Sequence, residues 1–550
     1  MEKQWYRFWH PFVPKSFQVE KPLPKYIREW ANLCPHRIAL RFYGQDMSYG
    51  ELNEASDRFA NGLIDLGLKK GDRVGLFMQN CPQFVISFMG TLRAGGVIVS
   101  LNPMFKKTEL EHEINDAGIE ILVGFDYLYP EVLKIEADLS LKHVIITSLH
   151  DYLPENPVLP LPAEAEAPKR EFSDTLDFQD ILRNASDEPV CLVENLDKDL
   201  ALLQYTGGTT GTPKGAMISH YNLAFATIAS GYWWRLREDD ISLGVTPFFH
   251  IMGMVVTMCA PLITGGQIAV LSRFLPDATA RAIPYYRCTF WTAATTMFIA
   301  LLQLSNISEY DFSSFRLLIS GGAPISVEIQ NKVKVIAPKA FLGEGYGLSE
   351  CTSAGGVVSP LYAYKPGFVG IPQYSDVKIM ELENGNEEMP PNEVGEIVMK
   401  GPTVMKGYWQ KPEETAEVLR EGWLYTGDIG LMDEDGYVQV VGRKKELILC
   451  SGFNVFPTEL EGILYKHPAV AEVAVIGIPD EYRGESPKAF VVLNSDARGK
   501  TTEEDILSWC KDKMAAYKRP RVVEFRQDLP KSGAGKILKR VLAEEEKGRG

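Results

Sequence analysis

Cysteine is scarce in this sequence and badly spaced for any covalent or metal role. The 550 residues hold eight, Cys34, Cys81, Cys191, Cys259, Cys288, Cys351, Cys450 and Cys510, with no C-x-x-C pair and no nearby histidine at ligand spacing. A disulfide framework or a zinc site is therefore not expected, and the cysteines read as small buried hydrophobes in a reducing compartment. Positive charge is also in short supply: 57 Lys and Arg face 72 Asp and Glu, a formal net charge of −15. That balance excludes a general nucleic-acid binder and gives no attraction to anionic membranes. A polyanionic ligand would have to be met by locally gathered cations. Uninterrupted membrane-length apolar segments are lacking too. Ile251 to Ser272 carries no charge, but Pro261 and the pair Gly265-Gly266 divide it, so it reads as a buried helix followed by a strand. Met1 to Ser16 mixes aromatics with Lys, Arg and His and shows no secretory h-region, which points to the cytoplasm.

What is present is ordinary globular material, 45% hydrophobic and 23% charged, long enough for roughly two to four domains. Ile38 to Tyr43 reads as a strand, and Ser48-Tyr49-Gly50-Glu51 as a capping box opening a helix with Leu52, Ala55, Phe59, Leu63 and Leu66 on one face, ended by Gly67. Strands are expected at Arg73 to Met78, Val97 to Leu101, Ile121 to Gly124 and His143 to Ile146, with a helix over Pro82 to Ala94. Such alternation implies parallel sheets covered by helices. The proline-rich acidic stretch Asp151 to Glu188 breaks the pattern and marks a boundary near 151–190. A second alternating region runs to about Ile371. Val377 to Val441 then reads as a small antiparallel sheet or barrel, about 375–442, and a compact α+β unit of about a hundred residues follows Arg443.

Four stretches carry chemistry. Thr206-Gly207-Gly208-Thr209-Thr210-Gly211-Thr212-Pro213-Lys214-Gly215 lies between an apolar run, Leu200 to Leu203, and a helical segment, Ser219 to Ala229. Glycines let backbone N–H groups turn inward as an anion nest, threonines add donors and Lys214 adds charge, a composition suited to polyphosphate. The spacing is not that of a Walker loop, since Gly215 rather than Ser or Thr follows Lys214. Gly343-Glu344-Gly345-Tyr346-Gly347-Leu348-Ser349-Glu350 would admit a flat ring against Tyr346, and Glu350 is a hard oxygen ligand of the sort Mg²⁺ prefers. In Trp423-Leu424-Tyr425-Thr426-Gly427-Asp428, an aspartate after a Thr-Gly turn can accept both hydroxyls of a ribose. Pro530-Lys531-Ser532-Gly533-Ala534-Gly535-Lys536 is a glycine loop able to carry one lysine into a site built elsewhere. Read singly, each is also a plain turn, a core tyrosine, a turn aspartate or a basic tail.

In their order and spacing the four resemble the adenylate-forming superfamily, the acyl-CoA synthetases, luciferases and peptide-synthetase adenylation domains, and most closely its fatty acid and carboxylic acid–CoA ligases. Gly207 stands where that family commonly has Ser, Glu344 where it usually has Gln, and Ser349 where it often has Thr. The resemblance implies an α/β fold: a large N-terminal domain over 1–442, of parallel sheets covered by helices plus a small β-barrel, and a small mobile α+β C-terminal domain over 443–550. The hinge would lie near Lys445. It implies adenine stacking on Tyr346, ribose on Asp428 and Arg443, phosphates on Thr206 to Thr210 and Lys214, and Gly322, Ala323, Glu344, Gly345 and Ser349 around the nucleotide. Glu350 would hold Mg²⁺, Lys536 would bridge carboxylate and α-phosphate, and Arg273, Ser451 and Gly452 would meet coenzyme A.

The implied reaction is carboxylate plus ATP to acyl-AMP and pyrophosphate, then transfer to a thiol with release of AMP. The partners are thus a small carboxylic acid, ATP and CoA, with no nucleic acid; the oligomeric state is left open, a homodimer among the options. Thr246 to Met254 resembles the segment lining the acyl pocket, with His250 at its gate and Met252, Val256, Gly321, Gly322 and Ala354 at the wall. No aspartate occurs from Thr246 to Pro276 to pair an amino group, so an uncharged acid is favoured. A medium-chain fatty or a compact cyclic or aromatic acid is expected rather than a very long chain. An acyl-AMP ligase loading a carrier protein, a luciferase-type oxygenase and a non-enzymatic acyl-binding protein are the competing readings.

Overall fold

Alternating short apolar strands and amphipathic helices build two large sheets, in a computed structural model that describes residues 3–206, 212–533 and 535–548, with the side chains at 354 and 355 left aside. The first has seven strands, in the order Leu176–Asp177, His143–Thr147, Ile119–Phe125, Arg73–Phe77, Val97–Ser100, Leu200–Thr206, Lys214–Ser219. Its pairings are parallel up to the last, which is antiparallel. The second has nine, and its parallel centre runs Phe341–Leu348, Leu317–Gly321, Phe290–Ala294, Ile241–Gly244, Gln267–Val270, Ile38–Phe42. Antiparallel strands close both of its edges.

The expected elements are largely there. Ser48 caps the helix Tyr49–Asp65 in a reciprocal capping box with Glu51, and Leu52, Phe59 and Leu63 are buried on one face. The helix Pro82–Arg93 is buried over its whole length, its polar Gln83, Ser87, Thr91 and Arg93 included. Ile251 to Ser272 resolves into a π-helical turn Gly253–Cys259, a short helix Ala260–Ile263 and the strand Gln267–Val270. No helix among the described residues is long and apolar enough to cross a membrane.

The division expected near 151–190 does not fall between sheets. After the prolines, Leu176–Asp177 returns to pair with His143–Thr147, and the same sheet is completed by Leu200–Thr206. The prolines interrupt regular structure, but Phe178 and Leu182 still seek burial: the helix Phe178–Asn184 packs on Tyr49–Asp65, with the rings of Phe59 and Phe178 5.2 Å apart. Strands hidden to pattern reading include Gln45–Ser48 and Lys214–Ser219.

Asp376 to Arg443 forms a five-stranded antiparallel sheet. From Ile448 onward the chain builds another five-stranded sheet with the helices Pro457–Leu464, Glu503–Lys511 and Lys539–Lys547, around apolar clusters of its own that include Leu460, Val475, Val491 and Leu542.

One buried charge pair ties helices of the main core. Arg93, fully enclosed, lies 2.8 Å from the Asp57 carboxylate, which Arg28 also engages. Removing the carboxylate leaves a guanidinium buried without its counter-charge, so Asp57→Ala is expected to lower stability by about 3–5 kcal/mol in urea unfolding. A loss below about 1 kcal/mol would show that the pair is not what holds these helices.

Candidate functional site

The candidate site gathers residues from strand ends in both large sheets, from the antiparallel sheet and from the terminal loop. On the first sheet, Leu200–Thr206 turns back into Lys214–Ser219, with Thr206 opposite Lys214. Gly207, Gly208, Thr209 and Thr210 lie outside the described residues. Ser219 then caps the helix His220–Trp233. The Lys214 ammonium stands 5.2 Å from the centre of the Tyr408 ring, whose hydroxyl donates to Glu350 Oε1 at 2.8 Å. The phosphate-binding candidate Lys214 and the metal-ligand candidate Glu350 are thus linked through a tyrosine that sequence reading missed.

On the second sheet, Leu317–Gly321 and Phe341–Leu348 run side by side with Gly321 opposite Gly345. Gly322 and Ala323 follow, exposed, and Ser349 and Glu350 occupy the short turn Ser349–Cys351. The Tyr346 hydroxyl donates to Asp428 Oδ2 at 2.6 Å, and Arg443 Nε lies 2.9 Å from Asp428 Oδ1. Asp428 and Arg443 face one another across adjacent antiparallel strands. Burial raises the Asp428 pKa above the usual carboxylate range, against the pull of Arg443 and Tyr346. The Thr426 hydroxyl accepts from the Asp428 N–H, and the buried Glu396 accepts from the Gly427 N–H and pairs with Lys444, fixing this turn.

The terminal loop reaches this place. Ser532 N–H donates to Lys536 O and Gly535 N–H to Ser532 O, both at 2.8 Å, closing a tight loop. Thr296 Oγ1 donates to Gly535 O at 2.8 Å, docking it on the first turn of the helix Thr295–Leu302 that follows the strand Phe290–Ala294. Gly535 has φ +81°, and a Cβ there would stand 2.7 Å from Thr296 Oγ1, so glycine is required twice over. Solvent still reaches Lys536, yet the surrounding walls and then the Arg443 guanidinium hold its ammonium below the usual range, with Asp428 pulling the other way. Burial and then Lys536 push the His250 imidazole down to about 4, so it is neutral at neutral pH. Lys539 binds Glu461 at 2.8 Å and Glu446 at 3.2 Å, anchoring the loop to the chain beside Lys445, which is exposed in the turn Lys444–Glu446.

Along the acyl side, Met252 lies over Gly321: a Cβ on that glycine would be 2.6 Å from Met252 Sδ. Val256 is buried within the π-helical turn, and Ala354 belongs to the strand Ser353–Val358. Trp233, Trp234 and Trp291 are core residues. Two groups stand apart from the cluster of Lys214, Glu350, Tyr346, Asp428, Arg443, His250 and Lys536. Ser451 and Gly452 form an exposed hairpin tip on the C-terminal unit, with Ser451 N–H on Arg483 O, and Arg273 is paired with Glu164 at 2.7 Å.

The donor set suits Mg²⁺. Among the described residues no three His, Cys, Asp or Glu side chains cluster as a metal cage. Glu350 would be a single carboxylate anchor, leaving phosphates and water to complete the coordination that Mg²⁺ favours.

Residues 27–409 match the family model described as AMP-binding enzyme, and residues 459–536 the one described as AMP-binding enzyme C-terminal domain. The chain belongs to the AMP-binding enzyme family. As an adenylate-forming enzyme it is an AMP-forming acid–thiol ligase, and its relatives align along nearly the whole length. A long-chain-fatty-acid–CoA ligase of Bacillus subtilis is 39% identical over 551 residues, covering 98% of each chain. Among solved structures, ATP-bound MatB from Rhodopseudomonas palustris superposes with a TM-score of 0.82 at 31% identity, covering 95% of this chain and 99% of that one. The anthranilate CoA ligase AuaEII in complex with anthranoyl-AMP gives 0.86 at 26% identity, covering 96% and 98%.

Glu344, one of the departures from the family pattern, is buried with its carboxyl turned to the Tyr364 hydroxyl (3.1 Å) and the Ile325 N–H (3.5 Å). Burial raises it from the ordinary 4.5 to about 7. The native state therefore holds an extra proton between these values, and stability is lost as pH rises through that window. Glu344→Gln, neutral throughout, is expected to gain more thermal stability at pH 8 than at pH 5, by about 2–3 kcal/mol. Equal gains at both would contradict the assignment.

Proposed function

We propose that this enzyme is a carboxylic acid–CoA ligase, joining a hydrophobic monocarboxylic acid to coenzyme A with ATP, through an acyl-adenylate. The observation that carries this is the placement of Lys536, from a loop of the C-terminal unit, beside Arg443, Asp428 and His250 in the cleft that Lys214 enters from the opposite sheet.

A carboxylate is a poor electrophile and ATP a polyanion, so like charges must be brought together. A carboxylate oxygen attacks the α-phosphorus, the bond from that phosphorus to the bridging oxygen breaks, and pyrophosphate leaves. Lys536 and Lys214 neutralise the charge that gathers on the transferring group. Glu350 would hold Mg²⁺, which supplies Lewis-acid neutralisation of phosphate oxygens. Asp428 and Arg443 would hold the ribose, and Tyr346, fixed by its bond to Asp428, would present its ring to adenine. The neutral His250 adds no charge at the gate of the acyl pocket. In the second half, the thiolate of CoA attacks the acyl carbon, the bond from that carbon to the AMP oxygen breaks, and AMP departs. For this the unit from residue 443 would swing about Lys445, withdrawing Lys536 and bringing Ser451 and Gly452 toward the pantetheine arm. The loop's light attachment through Thr296 supports such a release.

The acid is apolar. Met252, Val256 and Gly321 offer no counter-charge, and an unpaired ammonium among them would be costly. Met252, lying over Gly321, would limit the room on the acyl side and favour a medium-chain fatty or compact aromatic acid. The name of the Bacillus subtilis relative supports the fatty class and extends the range to longer chains, and that of the anthranilate ligase supports aromatic ones.

An ATP–pyrophosphate exchange screen over fatty acids of increasing length, benzoates and amino acids tests both parts, followed by a full reaction with carboxylate-¹⁸O acid. Exchange is expected with fatty or aromatic acids and not with amino acids, with one ¹⁸O recovered in AMP. Release of ADP, or ¹⁸O in inorganic phosphate, would refute the ligase reading.

A further inference from the structure

The strand pair bearing Lys214 and the turn bearing Glu350 lie side by side, and the segment Met405 to Trp409 is hydrogen-bonded to both. On one side it extends the phosphate hairpin as an added strand. Trp409 N–H donates to Gly215 O, Met217 N–H to Gly407 O and Lys406 N–H to Met217 O, at 2.8 to 2.9 Å, with Ala216 opposite Tyr408. On the other side Met405 N–H donates to Glu350 O at 2.8 Å, and Thr352 Oγ1 donates to Thr403 O at 2.7 Å. Every one of these bonds is made by backbone or by residues flanking the site, so the segment's path is fixed independently of the Tyr408 side chain.

That side chain is used twice. Its hydroxyl donates to Glu350 Oε1 at 2.8 Å, and its ring face lies 5.2 Å from the Lys214 ammonium. Tyr408 is 8% exposed, so both contacts are sheltered from water. A hydrogen bond to a carboxylate is among the stronger neutral–charged contacts, and it leaves Glu350 Oε2 free of this donor. A cation held on a ring face is restrained without being neutralised, because the ring brings no formal charge.

We propose that Tyr408 is a positioning residue for adenylation, setting the Glu350 carboxylate and the Lys214 ammonium in register before ATP and its metal arrive. This deepens, and rests on, the ligase reading above. The hydroxyl would act on the metal side and the ring on the phosphate side, so the two roles separate by substitution. Tyr408→Phe keeps the ring and deletes the donor. Tyr408→Leu deletes both.

The experiment uses the full-length enzyme with an acid that supports exchange. Pyrophosphate release is measured against Mg²⁺ and against ATP, and ATP binding with and without Mg²⁺ is measured by calorimetry. Thioester formation is assayed separately from chemically made acyl-adenylate and CoA. Tyr408→Phe is expected to raise the Mg²⁺ concentration for half-maximal rate, and to weaken Mg²⁺-dependent ATP binding, by about ten-fold. Metal-free ATP binding should be unchanged. Tyr408→Leu should weaken metal-free ATP binding by a further few-fold through Lys214. Both variants should make thioester from preformed adenylate at close to the parent rate. Should Tyr408→Leu not fold, the phenylalanine variant, which fills the same space, carries the test alone. A Mg²⁺ dependence within two-fold of the parent in Tyr408→Phe, alongside intact AMP formation by the parent, would overturn this inference and leave the ligase reading standing. Absence of AMP from the parent with every acid would overturn both.

Discussion

The structure depends on concentrating positive charge where the rest of the molecule repels a polyanion. With a net charge of −15, no general field draws ATP in, so cations must be presented at short range by separate parts of the chain. Lys214 comes from the first sheet, Arg443 from the antiparallel sheet and Lys536 from a terminal loop. Gathering them without a ligand is unfavourable, and the structure offsets this with carboxylates placed between. Asp428 is paired with Arg443 and attracts Lys536, and Glu350 is linked to Lys214 through Tyr408. Burial and then the neighbouring Arg443 hold Lys536 below its usual range, while Arg443 and Lys536 both pull against the burial that raises Asp428.

The docking of the terminal loop is correspondingly slight. Thr296 to Gly535, and Gly533 lying close to Asn102 and Phe249, are contacts of small groups that add specificity of position more than stability. The loop itself is held firmly within its own unit by Lys539 on Glu446 and Glu461. A strong internal anchor with a lighter external dock is what the proposed movement of this unit would require. Glycine at 533 and 535 is what permits the close approach.

Much of this was legible in the sequence, because it rested on local rules. The capping box at Ser48, the helix after Pro82 and the short apolar strands of the first sheet all formed where the residues demanded them. The glycine-rich stretches were recognisable because anion binding and tight turns need glycine. What escaped was decided by tertiary pairing. Lys214–Ser219 becomes a strand only because Leu200–Thr206 lies beside it, and nothing in Lys-Gly-Ala-Met-Ile-Ser announces that partner. Tyr408 is one aromatic among 23 tyrosines, and its value comes from two residues far away in sequence, Lys214 and Glu350. The prolines of 151–190 read as a boundary since they break helices and strands, yet Phe178 and Leu182 carry the chain back onto the sheet it left.

The central claim is that Lys536 serves the first half of the reaction and not the second. The direct measurement is a pair of single-turnover assays on Lys536→Ala: pyrophosphate release from acid and ATP, and thioester formation from preformed acyl-adenylate and CoA. The account predicts a fall of about 10²–10³ in the first, as for loss of a fixed charge at a transition state, with the second changed by no more than a few-fold. Equal loss in both, or an unchanged first step, would contradict it.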